Sequence, residues 1–87
     1  MSQNQSPSQL KVVARAPFQV YYEGPAKMVS ATNKVGNFDI LPGHADFFSV
    51  MAPGEVSIET DANVLSFPVT SGIMTVRKDE VMLFVNI

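Results

Sequence analysis

From Leu10 onward the apolar residues fall in short runs broken by turn residues, and no window of about eleven keeps them at the i, i+3, i+4, i+7 spacing of a helix face. The chain therefore reads as strands. Leu10-Lys11-Val12-Val13-Ala14 opens one, Ala16-Pro17 interrupts or edges it, and Phe18 to Tyr22 resumes before a turn expected at Gly24-Pro25. Ala26 to Ala31 alternates, with Met28 and Ser30 on one face and Lys27, Val29 and Ala31 on the other. Thr32-Asn33-Lys34 and Gly36 supply turn chemistry. A short apolar segment around Phe38 and Ile40 then runs into Leu41-Pro42-Gly43-His44, where proline fixes φ and glycine permits positive φ, which makes a stiff corner.

Phe47 to Met51 reads as a strand closed by Pro53-Gly54. Glu55 to Glu59 puts Val56 and Ile58 on one face and Glu55, Ser57 and Glu59 on the other, and Asp61-Ala62-Asn63 joins it in a hairpin to Val64 to Val69. Pro68 marks that second member as an edge or a bulge. Gly72 is read as a further turn glycine ahead of Ile73 to Val76. That strand and Val81 to Asn86 flank Arg77-Lys78-Asp79-Glu80, taken as a four-residue hairpin loop. Val81-Met82-Leu83-Phe84-Val85 is apolar on both faces, so it belongs in the middle of a sheet or under a cover. Nine to ten short strands with turns between them predict an all-β fold, a small antiparallel β-sandwich or flattened barrel. Neighbouring strand residues face opposite ways, so Phe47 and Phe48 cannot both enter the core; one of them is expected to be covered by a partner or a loop.

Composition narrows the function classes. The 87 residues make one domain, with too little interior for a deep catalytic pocket. Charged residues are 16% of the chain against about 25% in an average globular protein, the balance expected of a domain that hides surface against a partner. The net charge is −2 and the basic residues Lys11, Arg15, Lys27, Lys34, Arg77 and Lys78 are scattered, so no nucleic acid is expected as a partner. No apolar run reaches the about 18 residues of a membrane helix, so no direct membrane insertion is expected. Residues 1–9, polar and without basic charge, read as a disordered tail ahead of a domain over 10–87.

Little catalytic chemistry stands out. Without cysteine there is no disulfide, thiolate nucleophile or Cys-ligated metal. Asp39, His44 and Asp46 would make an open metal triplet, but with a single histidine the plainer reading is a turn histidine between solvated carboxylates. Ser49 or Ser71 with His44 and Asp46 would make a nucleophilic triad, yet no nucleophile elbow or oxyanion glycines accompany them. Glu55, Glu59 and Asp61 lie on the polar side of their strand and turn. Met28, Met51, Met74 and Met82 are read as core filler. No metal, cofactor or catalytic residue is expected.

The stretch Val35-Gly36-Asn37-Phe38-Asp39-Ile40-Leu41-Pro42-Gly43-His44-Ala45, followed by two bulky apolar residues, Ser49 and then Pro53-Gly54, resembles the signature of the epsilon subunits of F-type ATP synthases, called delta in mitochondria. Leu10-Lys11-Val12-Val13, Tyr22-Glu23-Gly24, Met28-Val29-Ser30-Ala31 and Ser71-Gly72-Ile73-Met74-Thr75-Val76 are similar to the family's other strands and turns. The resemblance implies a non-catalytic rotor part, a β-sandwich at the foot of the central stalk of a proton- or sodium-translocating synthase, on the cytoplasmic face of a bacterial inner membrane. It implies binding to the c-ring loops through Asn37, Phe38, Asp39, Leu41 and Pro42, and to the gamma subunit through His44, Phe47, Phe48 and Ser49. Gly36, Gly43, Pro53, Gly54 and Gly72 would be structural turns. This chain departs from the family pattern at Asn37, Asp39, Asp46 and the Phe47-Phe48 pair. It ends at Ile87, before the helical hairpin of full-length family members, so no nucleotide is expected to bind these residues. The alternative is a free-standing adaptor that kept the fold without the rotor role.

Overall fold

A computed structural model describes residues 9–87, so all but the last residue of the expected disordered tail lies outside the described residues. The chain forms nine strands: β1 (Leu10–Ala16), β2 (Gln19–Ala26), β3 (Met28–Asn33), β4 (Gly36–Ile40), β5 (Phe47–Met51), β6 (Gly54–Glu59), β7 (Val64–Val69), β8 (Ser71–Arg77) and β9 (Glu80–Asn86). They build a five-stranded sheet, ordered β2-β1-β9-β8-β5, and a four-stranded sheet, ordered β4-β3-β6-β7. The pairings are antiparallel except one, β1 with β9, which is parallel. A parallel pair needs a long connection, and here the seven intervening strands provide it. β9 is central, as its two apolar faces require.

The core follows from period-two alternation. On the five-stranded sheet Val12, Ala14, Met74, Val76, Val81, Leu83 and Val85 point inward and are buried; on the other sheet Val29, Ala31, Ile40, Val56, Ile58 and Val69 meet them. Met51 and Met74 fill the core as expected, whereas Met28 and Met82 are only half-buried. Aromatic pairs close both sides of the sandwich. Tyr21 of β2 stacks on Phe67 of β7 with ring centroids 5.2 Å apart, and Phe38 of β4 meets Phe47 of β5 at 5.4 Å. Each pair joins edge strands of opposite sheets and adds about 0.5–1.5 kcal/mol beyond the burial of its rings. A register shift in β1–β2 leaves Tyr21 as an extra residue between Tyr22, opposite Ala14, and Val20, opposite Arg15. Both tyrosines thereby pack against the core from consecutive positions, an arrangement a regular strand forbids.

Several turns fall elsewhere than the sequence predicts. Phe18 is fully exposed in the β1–β2 turn instead of opening a strand. Gly24 and Pro25 do not turn: β2 runs through them to Ala26, which proline tolerates because β2 is an edge strand, and the chain changes sheet at Lys27. Gly36 closes the Lys34-Val35 turn as expected, pairing with Asn33 at a φ of 141°, whereas Gly54 is the first residue of β6 directly after Pro53 and Gly72 lies within β8. Gly72 is required by proximity, not by a turn. A Cβ there would stand 2.4 Å from the backbone oxygen of Phe84, so only glycine lets β8 and β9 approach this closely. The β8–β9 loop is two residues, Lys78 and Asp79, since Arg77 and Glu80 already pair.

Candidate docking surface

The two outer faces of the sandwich differ in polarity. On the four-stranded sheet the outward side chains hydrogen-bond across strands: Ser30 Oγ donates to Asp39 Oδ1 at 2.7 Å, Thr32 Oγ1 to Asn37 Oδ1 at 2.8 Å, and the Ser57 and Ser66 hydroxyls lie 2.9 Å apart. Glu59 adds a 3.7 Å ion pair with Lys27. Apart from Met28 and Val64, which flank Glu59 in one row, that is a water-facing surface.

The five-stranded sheet turns apolar residues outward. Its register aligns Val20, Arg15, Phe84, Ile73 and Val50 in one row and Val13, Met82, Thr75 and Phe48 in the next. Phe48 is 62% exposed, Val50 65%, Phe84 51% and Ile73 42%. Directly opposite residues stand about 5 Å apart, so these side chains form one continuous apolar surface, with Arg15 in its first row. Lys11, Glu80 and Arg77 make the next row, a charged rim. An apolar core with a polar rim is the arrangement of a protein–protein interface.

At one end of this face lies the proline corner. Leu41 to His44 is a type II turn: Pro42 fills its second position, Gly43 adopts the required φ of 85°, and the His44 N–H donates to the Leu41 carbonyl at 3.1 Å. His44 Nδ1 lies 2.7 Å from the Ala45 carbonyl, and its ring sets an edge against Phe47 at 5.5 Å. The corner is pinned to the β8–β9 turn, where Lys78 and Asp79 both take positive φ, 49° and 64°. The Gly43 N–H donates to Asp79 Oδ1 at 2.7 Å, the Lys78 N–H to Asp46 Oδ1 at 3.3 Å, and the Lys11 N–H to the Asp79 carbonyl at 2.8 Å.

The structure separates the candidate residues. Asn37 and Asp39 sit on the polar outer face of β4, Leu41 is exposed at the corner and Pro42 half-buried, while Phe38 points inward onto Phe47. Of the other set, Phe48 is exposed on the apolar face and His44 is half-buried. Phe47 lies under Phe38 and His44. The split expected between Phe47 and Phe48 is thus Phe47 in, Phe48 out. Ser49 is buried, with its hydroxyl accepting from Asn33 Nδ2 at 3.1 Å and donating to the Val50 carbonyl at 3.2 Å, so it supports the surface from beneath without belonging to it. Asp39 is bonded to Ser30 and Asp46 to the Lys78 amide, and among the described residues no group of three His, Cys, Asp or Glu side chains is placed to hold a metal ion. Ser71, the other candidate nucleophile, lies at the end of β8 away from the corner and accepts from Asn86 Nδ2.

Sequence reading alone did not select Val13, Val20, Val50, Ile73, Met82 and Phe84. One signal was present, the apolar character of both faces of β9, but lining these residues up needs the register of strands far apart in sequence.

Residues 8–87 match the family described as "ATP synthase, Delta/Epsilon chain, beta-sandwich domain". The chain is 38% identical over 63 residues to the "ATP synthase epsilon chain" of Ruthia magnifica subsp. Calyptogena magnifica, covering 72% of this chain and 46% of that protein. It is 32% identical over 77 residues to the protein of the same name from Synechococcus elongatus, covering 88% and 56%. It thus spans about half the length of the curated relatives it matches. Its fold is similar to a chain in the cryo-EM structure of the Euglena gracilis mitochondrial ATP synthase OSCP/F1/c-ring, with a TM-score of 0.85 at 16% identity over 94% of this chain and 53% of that one. A chain of the Tetrahymena thermophila mitochondrial ATP synthase central stalk/c-ring gives 0.77 at 19% identity over 94% and 66%. With the match running over the whole sandwich, the chain belongs to the delta/epsilon-chain β-sandwich family of ATP synthase.

Proposed function

We propose that this domain is a non-catalytic part of the rotor of an F-type ATP synthase, binding the gamma subunit on one side and the polar loops of the c-ring at one end. The observation that carries this reading is the asymmetry of the two outer faces: one sheet is finished for water, the other shows a continuous apolar surface that a folded partner would cover. Gamma is assigned to the apolar face, reached from Phe48 and His44 and centred on Val50, Ile73 and Phe84. The c-ring is assigned to Leu41, Pro42, Asn37 and Asp39, whose side chains present carboxylate, amide and small apolar groups at the corner and on outer β4.

A close-packed core suits torque transfer because it moves as a unit. The aromatic pairs that tie the sheets together on both sides stiffen it further. Among the described residues no helix is long and apolar enough to cross a membrane. On this reading the domain is held at the cytoplasmic face of a bacterial inner membrane through its partners. The test is reconstitution with the gamma subunit and c-ring of the same organism: a stoichiometric complex is expected, and a folded domain that joins neither partner refutes the assignment.

A further inference from the structure

We propose that Asp79 is a positioning residue for the docking corner: its carboxylate holds the Leu41–His44 turn in the shape that meets the partner. The inference rests on the proposed contact between this corner and the c-ring. Its grounds lie in the joint between the corner and the β8–β9 turn. Those two segments are 36 residues apart in sequence, yet Asp79 Oδ1 accepts from the Gly43 N–H at 2.7 Å, a short bond of the charge-assisted kind. The bond lands on the residue with φ 85° at the third position of the type II turn, whose amide has no partner within the turn itself. In return Asp46, just beyond the corner, accepts from the Lys78 N–H at 3.3 Å.

The hairpin side is built at a cost. A two-residue turn with positive φ at both positions favours Asn-Gly, and this chain uses Lys78-Asp79. Such conformations persist where the surroundings over-determine them, and here three bonds do so: Asp46 to the Lys78 amide, the Asp79 carbonyl to the Lys11 amide, and the Asp79 carboxylate to Gly43. Leu41 and Pro42 are therefore carried by the five-stranded sheet as well as by β4, and the corner moves with both layers.

Asp79→Gly separates the carboxylate from the turn, because glycine accepts positive φ without penalty. Asp79→Asn keeps both the turn preference and an oxygen acceptor. By amide hydrogen exchange, the Gly43 N–H is expected to exchange at least tenfold faster in Asp79→Gly and to stay near the wild-type rate in Asp79→Asn, with the amides of β3 and β6 unchanged in both. Binding to the c-ring of the same organism, in detergent, is expected to weaken at least fivefold in Asp79→Gly and to recover in Asp79→Asn. Asp46→Ala, which leaves the positive-φ residues untouched, is expected to give a smaller loss in the same direction and serves if Asp79→Gly fails to fold. Unchanged Gly43 exchange in Asp79→Gly, or faster exchange with unchanged ring binding, overturns the positioning role. Wild-type protein that does not bind the ring at all refutes the functional reading instead, and the exchange measurement still decides whether the clasp exists.

Discussion

Replacing Leu83 by alanine is expected to cost about 2–5 kcal/mol of stability, the range for emptying a fully buried leucine site. Leu83 has no exposed surface, lies on the central strand β9, and stands in register between Ala14 and Met74, with Ser49 one strand further on. None of these neighbours is able to fill the space, since Ala14 is small and Met74 is itself fully buried. A domain of this size holds about 4–13 kcal/mol in total, at roughly 0.05–0.15 kcal/mol per residue, so one substitution removes a large share. In urea unfolding the midpoint is expected to fall by about 1–3 M. Phe84→Ala, one residue along, is the control. Phe84 faces outward and is half exposed, so its loss is expected to move stability by only about 0.5 kcal/mol. Equal and large losses at both positions would show that the outer face is already packed, leaving no apolar surface for a partner to cover.

The second large effect concerns binding. Phe48→Asp and Phe84→Asp each place a carboxylate on the apolar face, at positions where the free domain leaves it in water. The fold is expected to survive both. In a gamma complex the Phe48→Asp carboxylate is desolvated with only Thr75 directly opposite, the Phe84→Asp carboxylate is desolvated beside Arg15, and each variant has lost an aromatic anchor, so the loss is expected to be larger at Phe48. Loss of an anchor of this kind costs about 2 kcal/mol or more, which is roughly a 30-fold rise in Kd. Titration of gamma against each variant by calorimetry measures it. Glu55→Lys, on the polar outer face, is the matched control and is expected to leave Kd within twofold. Unaltered affinity in both aspartate variants places gamma elsewhere.

The residues themselves make much of this architecture readable. The alternation in Glu55 to Glu59 gives the inward face of β6, the two apolar faces of Val81 to Val85 give the central place of β9, and Pro68 marks β7 as an edge, whereas the parallel pairing of β9 with β1 departs from the antiparallel sandwich expected. The type II corner at Pro42-Gly43 is equally legible, because proline and glycine fill the two positions whose φ values the turn fixes. What the sequence does not carry is contact between distant segments. Pro25 signals a turn by its local chemistry, and only its place on an edge strand lets β2 continue. Gly72 looks like another turn glycine, but the backbone of β9 is what demands it. Ser49 and Phe48 are neighbours whose opposite fates depend on which face of β5 meets the other sheet. The apolar surface is made of residues from five strands, so it exists only once the register is set. The clasp at Asp79 is of the same kind, a local turn choice explained by a partner 36 residues away.

Gamma is assigned to the outer face of the five-stranded sheet and not to that of the four-stranded sheet, and methyl NMR of the domain with and without its gamma subunit distinguishes the two. Shifts or broadening are expected to concentrate on the methyl groups of Val13, Val20, Val50, Ile73 and Met82, with those of Met28 and Val64 on the opposite face unmoved. The reverse pattern, or a saturated complex in which the first group stays at its free positions, would contradict that assignment.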